Sequence, residues 1–235
     1  MIKFITLKWG TKYGPEYVNR LHNSLKVHYK KPFQFVCFTD DSSGLNCDAV
    51  PLSDLVTSTY KVFTSEKLET FNKFQSGKFC LLDLDILIMN DLTAYFDQYD
   101  FCEPRIIFNR WQDHSRIHNS YFVGDCFINS SFVTWKDDQL AWLYKLYMDN
   151  INIVEYRYRS LDKFIFYSSF DRLHFHPENI VYAYSFGAKF PNDVEQYKYR
   201  PDYNIALFHT SHKEGLELHE AEGWAKEMWY SYDTV

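Results

Sequence analysis

The sequence holds no CxxC pair, and its five cysteines in 235 residues, Cys37, Cys47, Cys80, Cys102 and Cys126, are an odd number. Cys37 and Cys80 sit inside apolar strand-like runs, so reduced core thiols in a cytoplasmic protein are expected. No stretch approaches the ~18 apolar residues of a membrane-spanning helix. Met1 to Thr6 enters a strand pattern without a signal-peptide cleavage region, which predicts a protein that works where it is made. Positive charge is also short. With 25 Lys+Arg against 31 Asp+Glu the formal net charge is −6, so no nucleic-acid partner and no anionic membrane surface is expected. An anionic ligand must be met locally, by a metal or a few lysines. There is no internal repeat, low-complexity tract or linker.

What is present fits one α/β domain. Hydrophobic residues make up 46% of the chain, enough for a full core. The 19 Tyr, 21 Phe and 6 Trp are read mainly as core packing. Lys3 to Leu7 predicts a first strand. Helical spacing of Tyr17, Val18, Leu21 and Leu25 predicts a helix from Pro15, with proline in its first turn. Phe33 to Phe38 and Ala49 to Leu52 predict two further strands, and Ser65 to Phe74 a helix. In the second half, Phe122 to Asn129 reads as strand, Trp135 to Met148 and Ser160 to Tyr167 as helices, Ile205 to Phe208 as a last strand with His209 at its end, and Glu217 to Trp229 as a closing helix. The β-α-β order predicts a mostly parallel, doubly wound sheet, which binds ligands at the carboxyl ends of its strands. Thr6, Asp40, Asp83 and Asp85 fall at or near such ends.

One run contradicts its own composition. Lys78 to Met89 is apolar apart from Lys78, Asp83 and Asp85. Read as one buried strand, its period of two puts Asp83 and Asp85 on one face and Leu84 on the other. Two carboxylates converging beside an apolar core are costly unless neutralised, and a divalent cation with a preference for oxygen, Mg²⁺ or Mn²⁺, does so directly. The other reading is a hydrogen-bonded structural pair.

The chain resembles the GT-A glycosyltransferases, in particular small bacterial and viral enzymes similar to glycosyltransferase family 8. The segments that carry the resemblance are FITLKWGTKYGPEYVNRLHNSL, FQFVCFTDD, EKLETF, CLLDLDILI, DCFINSSFVTWK, SLDKFIF and LFHTSHK, in that order along most of the chain. The resemblance implies a GT-A (Rossmann-like) domain over residues 1–235, with about 1–100 binding the nucleotide sugar and about 101–235 the acceptor. It implies a UDP- or GDP-sugar donor, a glycan or glycoconjugate acceptor, and a Mn²⁺ or Mg²⁺ cofactor. Asp83, Asp85 and His209 would hold the metal, with Asp83 shared with the ribose. Thr6 and Tyr13 would contact the base and ribose and Asp40 would accept a base N–H, while Leu84 belongs to the donor-binding motif, Lys67 would reach the diphosphate or the sugar, and Lys213 would bind phosphate. In the run His209-Thr210-Ser211-His212-Lys213 the family's Gly is a Thr and the spacing to Lys is shorter.

On the acceptor side the resemblance implies Asn129 and Ser130 as sugar contacts and Trp135 as a stacking surface. Asp162 is the candidate base for the acceptor hydroxyl, with Asp125 and Glu178 as rivals. Asp162 also precedes an apolar helical run and so suits a helix cap. Two other readings accommodate the Asp-x-Asp. A haloacid-dehalogenase-type phosphohydrolase uses such a pair with Mg²⁺, but its motif normally continues to Thr or Val where this chain has Leu87, and it normally opens the domain. A non-catalytic sugar-binding protein on a transferase fold is the third.

Overall fold

Strand β1 (Ile2–Lys8) lies at the centre of the first half of a seven-stranded sheet, because its side chains are wanted on both faces. Ile2 and Phe4 enter one core and Ile5 and Leu7 the other, the pattern of a strand covered on both sides. The structure, a computed structural model, describes residues 1–53, 64–111, 126–169, 171–187, 195–208 and 216–235. Helix α1 (Pro15–His28) covers one face with Tyr17, Val18, Leu21 and Leu25, starting at the expected proline and ending with Lys26 and His28 beside its carbonyl terminus. Strands β2 (Phe33–Thr39) and β3 (Asp48–Pro51) add parallel on one side of β1, and after helix α2 (Glu66–Lys73) strand β4 (Lys78–Leu82) adds parallel on the other. The order β3-β2-β1-β4 reverses direction between β1 and β4, so a ligand crevice is expected outside the carboxyl ends of those two strands.

The expected single strand through Asp83 and Asp85 is two strands. The chain leaves the large sheet after Leu82, turns through Asp83-Leu84-Asp85, and begins β5 (Ile86–Ile88) in a separate three-stranded sheet. After helix α3 (Thr93–Gln98) come strand β6 (Arg105–Phe108) and strand β7 (Ile128–Lys136); β7 joins the large sheet antiparallel to β4, and β6 pairs antiparallel with the far side of β7. The segment expected as strand from Phe122 begins its strand at Ile128, and residues 122–125 lie outside the described residues. Trp135, expected to open a helix, pairs with Phe79 in the β4/β7 ladder, so the helix α4 (Ala141–Asp149) starts later. Helix α5 (Ile151–Tyr158), absent from the sequence reading, precedes α6 (Leu161–Ser169).

Short strand β8 (His174–Phe175) edges the large sheet, and β9 (Val181–Ala183) and β10 (Ile205–Leu207) complete the small one, in the order β5-β10-β9. The expected closing helix divides into a 3₁₀ turn, Leu218–Glu220, and α7 (Trp224–Ser231), because Gly223 between them takes φ +59°. All five cysteines are free, with Cys37, Cys80 and Cys126 buried and Cys102 exposed. Among the described residues no helix is long and apolar enough to cross a membrane.

His176 shows how the core depends on protonation. Its ring stacks on Phe132, and its Nε2–H donates to the Phe132 carbonyl at 3.2 Å. A carbonyl only accepts, so Nδ1 is left to accept the Tyr95 hydroxyl at 2.7 Å. Burial, reinforced by the nearby Arg105, holds the imidazole down at about 3. A depressed histidine keeps its full contribution above the ordinary value near 6.5 and loses it as pH falls towards 3. Wild type is therefore expected to lose roughly 2–3 kcal/mol through this residue between about pH 6.5 and 4.5, which His176→Gln does not lose. Urea unfolding of both proteins across that range measures it; parallel pH curves contradict it.

Candidate active site

The reversal between β1 and β4 is occupied by the Asp-x-Asp turn, which both sheets pin. The Asp83 amide donates to the Ser131 carbonyl of β7 at 2.9 Å, continuing the β4/β7 ladder, and the Phe208 amide at the end of β10 donates to the Asp85 carbonyl at 2.8 Å. Leu84 between them is buried in the core beneath α1. The two aspartates thus converge through a turn held at both ends.

Asp83 has a counter-ion. Lys67, from the first turn of α2, places its ammonium 2.7 Å from Asp83 Oδ2 and 3.3 Å from Ser130 Oγ, with its side chain 9% exposed. Burial alone pulls the Lys67 ammonium down, but attraction to Asp83 and Asp162, with the hydrogen bond to Asp83, outweighs it and the net shift is upward. The Ser130 amide donates to Asp162 Oδ1 at 3.2 Å, so α2, the Asp-x-Asp turn, β7 and α6 meet in one polar network. Burial raises the Asp162 carboxyl, opposed by Lys67 and by the Ser130 hydrogen bond.

Asp85 is less satisfied. Its Oδ1 is buried and has no hydrogen-bond partner among the described residues. Burial and the neighbouring Asp83 charge push its carboxyl up to about 8, against the pull of Lys67 and Lys12. A buried unpartnered carboxylate oxygen beside a second carboxylate is costly, and the hard oxygen pair fits Mg²⁺ or Mn²⁺. Among the described residues no group of three His, Cys, Asp or Glu is placed to hold a metal ion. The turn forms the floor of a cavity of about 360 Å³, walled by Trp9, Lys12 and Tyr13 from the loop after β1 and by Lys67 from α2. The Tyr13 hydroxyl donates to Glu217 Oε2 at 3.1 Å; burial, then Asp85 and Glu217, raise its phenol.

Several sequence expectations need correction. Thr6 is fully buried and donates to the Leu82 carbonyl at 2.8 Å, clamping β1 to β4 rather than meeting a nucleotide. Trp135 is fully buried against Phe71 and Phe79 and offers no face to a sugar. Ser130 is buried and turned to Lys67, which makes it a support for the network rather than an acceptor contact. Asn129 lies within β7, not after the strand, and its Oδ1 accepts the Ser131 amide at 2.9 Å. Asp40, by contrast, is exposed; its Oδ2 accepts the Gly10 amide at 2.8 Å and ties down the loop after β1, which does not contradict the expected base contact. Glu178 pairs with Arg110 at 3.0 Å in a separate depression away from the turn. His209, Lys213 and Asp125 lie outside the described residues. The sequence reading missed Trp9, Lys12 and Glu217. Trp9 and Lys12 flank the chosen Tyr13 closely, whereas Glu217 carries no local signal and is brought in from the far end of the chain.

No protein-family model and no curated protein sequence matches the chain. Solved structures match it in fold. The galactosyltransferase LgtC, in complex with donor and acceptor sugar analogues, aligns with a TM-score of 0.64 at 11% identity, over 99% of this chain and 96% of that one. The apo-form glycosyltransferase GlyE of Streptococcus pneumoniae TIGR4 aligns with a TM-score of 0.63 at 12% identity, over 99% and 60% of the two chains. The bifunctional glycosyltransferase WbbM in its apo state gives 0.60 at 9%, over 97% and 51%. The expected GT-A architecture, a mostly parallel central sheet flanked by helices, is therefore present.

The Lys67–Asp83 pair gives a direct test of the network. Removing one partner of a buried ion pair strands the other charge, so Lys67→Met is expected to cost about 2–4 kcal/mol, a fall in Tm of roughly 5–15 °C. Lys67→Met with Asp83→Asn should recover at least half of that. Thermal unfolding of the three proteins checks it, and a loss below about 0.5 kcal/mol in the single variant contradicts the pairing.

Proposed function

We propose that the protein is a metal-dependent glycosyltransferase that moves a sugar from a UDP- or GDP-sugar to a hydroxyl of a glycan or glycoconjugate. The observation that carries this reading is the buried Asp85 oxygen, without a partner among the described residues, beside the Lys67-bound Asp83, on the floor of a cavity at the sheet's switch point. The fold shared with glycosyltransferase structures supports it. It speaks against the phosphohydrolase alternative, as does the position of the aspartate pair after the fourth strand rather than the first.

On this reading Asp83 and Asp85 hold Mn²⁺ or Mg²⁺, with His209 as the third ligand; His209 directly follows Phe208, whose amide is bonded to Asp85. The bound metal would draw charge from the diphosphate as it becomes the leaving group. Tyr13 packs against the nucleotide, and Asp40 acts through its hold on the same loop. Lys213 is assigned to the diphosphate on the sequence resemblance alone. Residues of about 1–100 bind the donor and those of about 101–235 receive the acceptor.

In the reaction the acceptor oxygen forms a bond to the anomeric carbon, whose bond to the diphosphate oxygen breaks with its electron pair going to the nucleotide. The acceptor proton goes to Asp162, whose upward-shifted carboxyl makes it the stronger base. Lys67 positions both carboxylates, contacting Asp83 directly and Asp162 through its field.

A thermal-shift panel of UDP- and GDP-sugars with and without Mn²⁺ tests donor binding. A donor at 100-fold its Kd should add about 2.7 kcal/mol of stability, and Asp85→Ala should abolish the metal-dependent part. No shift with any nucleotide sugar, or a shift that survives Asp85→Ala, defeats the reading. With the donor so identified, Asp162→Asn retains the acceptor for the Ser130 amide but loses the base. Its kcat should fall about 10²–10⁴-fold with an unchanged fold; a fall below about tenfold removes Asp162 from the role. Donor binding without transfer or donor hydrolysis favours the sugar-binding alternative.

A further inference from the structure

Glu217 has no part in the chemistry above, yet its carboxylate is largely buried, at 15% exposure, and fully engaged. Its Oε1 lies 3.0 Å from the Lys12 ammonium and its Oε2 accepts the Tyr13 hydroxyl at 3.1 Å. The Glu220 amide also donates to the Glu217 side chain, while the Glu217 amide donates back to Glu220 Oε2 at 2.9 Å, a reciprocal capping box on the 3₁₀ turn. That turn is itself anchored. Leu218 is fully buried, and the Tyr17 hydroxyl of α1 bonds His219 Nδ1 at 2.7 Å. Glu217 is therefore a fixed carboxylate facing a lysine whose side chain is 54% exposed.

Both groups that Glu217 holds, Lys12 and Tyr13, line the cavity above Asp83 and Asp85. Glu217 is close enough to Asp85 to repel its charge, and Lys12 close enough to attract it. Lys67 is buried and bound to Asp83, so of the described lysines that line the cavity Lys12, 54% exposed, is the one open to an incoming anion.

We propose that Glu217 is an internal competitor for the donor's diphosphate: it occupies Lys12 and the Tyr13 hydroxyl at the cavity mouth, and the diphosphate binds by drawing Lys12 away from it. The proposal rests on the nucleotide-sugar reading of the cavity. A carboxylate and a phosphate oxygen make the same demand on an ammonium, a charge-assisted hydrogen bond. Glu217 is held by its turn and Lys12 rides on a flexible four-carbon stem, so the lysine is the partner that moves. The exchange selects for charge. A ligand with little negative charge does not repay the lost ion pair, and a diphosphate does. Lys12 thus becomes a diphosphate-contacting residue and Glu217 a specificity-determining one.

The test is calorimetric titration of the full chain with UDP and GDP in the presence of Mn²⁺, on wild type, Glu217→Gln, Lys12→Met and the double variant. Glu217→Gln keeps an oxygen for the Glu220 amide and removes the charge that holds Lys12, so the diphosphate that binds should do so about two- to five-fold more tightly. Lys12→Met should weaken it about tenfold. On the Lys12→Met background Glu217→Gln should bring no tightening, which marks the effect as acting through Lys12. Melting curves of each variant establish that it is folded.

Weaker or unchanged binding by Glu217→Gln overturns the proposal, as does an equal tightening on the Lys12→Met background, since that reports only the removal of a negative charge. Wild type that binds neither nucleoside diphosphate nor any nucleotide sugar overturns the donor reading and the competitor with it. Wild type that binds, with Glu217→Gln identical to it, overturns the competitor alone.

Discussion

Asp85 is held where its charge is hardest to keep. Its carbonyl is fixed by the Phe208 amide, its neighbour Leu84 is sunk in the core, and its partner Asp83 is fixed by the Ser131 carbonyl, so its backbone is held at the seam between two sheets. One of its oxygens is buried with no hydrogen-bond partner among the described residues. On the proposed reading this cost is offset by a bound ligand, because an equally well-packed neutral residue would be more stable without one. The proposed metal assignment starts from that constraint.

The charges around the seam are graded by depth. Lys67 lies deepest and is bound to Asp83, which lets two carboxylates and the Asp162 carboxyl occupy one network. Lys12 lies at the mouth, half exposed and paired with Glu217. A protein with a net charge of −6 cannot attract an anionic donor by its overall field. On the proposed reading the attraction comes at short range, from these two lysines among the described residues and from the proposed metal, where burial weakens the screening by water.

The central architecture was legible in the sequence because parallel strands buried on both faces write themselves as apolar runs, as in β1, β2 and β4, and α1 announces its start with Pro15. The Asp-x-Asp was legible as an anomaly for the same reason. Its local geometry was not: an apolar run from Lys78 to Met89 looks like one strand, and only the pairing of Ile86–Ile88 with β10, more than a hundred residues later, divides it. Trp135 was misplaced because strand and helix share the same apolar residues over short windows, and the ladder with Phe79 decides between them. Thr6 shows the limit of reading sites from strand ends. A threonine at the end of β1 can face a ligand or clamp a neighbouring strand, and the Leu82 carbonyl takes it. Glu217 could not be found at all, since its role exists only through tertiary contacts with Lys12 and Tyr13.

The central claim is that the buried Asp85 oxygen is a metal ligand. Counting free Mn²⁺ by electron paramagnetic resonance, as the ion is titrated into the protein with a saturating nucleoside diphosphate, addresses it without relying on turnover. The account predicts one tightly bound Mn²⁺ per chain in wild type and loss of that site in Asp85→Asn, which keeps the size of the side chain and removes its charge. Equal Mn²⁺ binding by wild type and Asp85→Asn, or no bound Mn²⁺ in wild type, would contradict it.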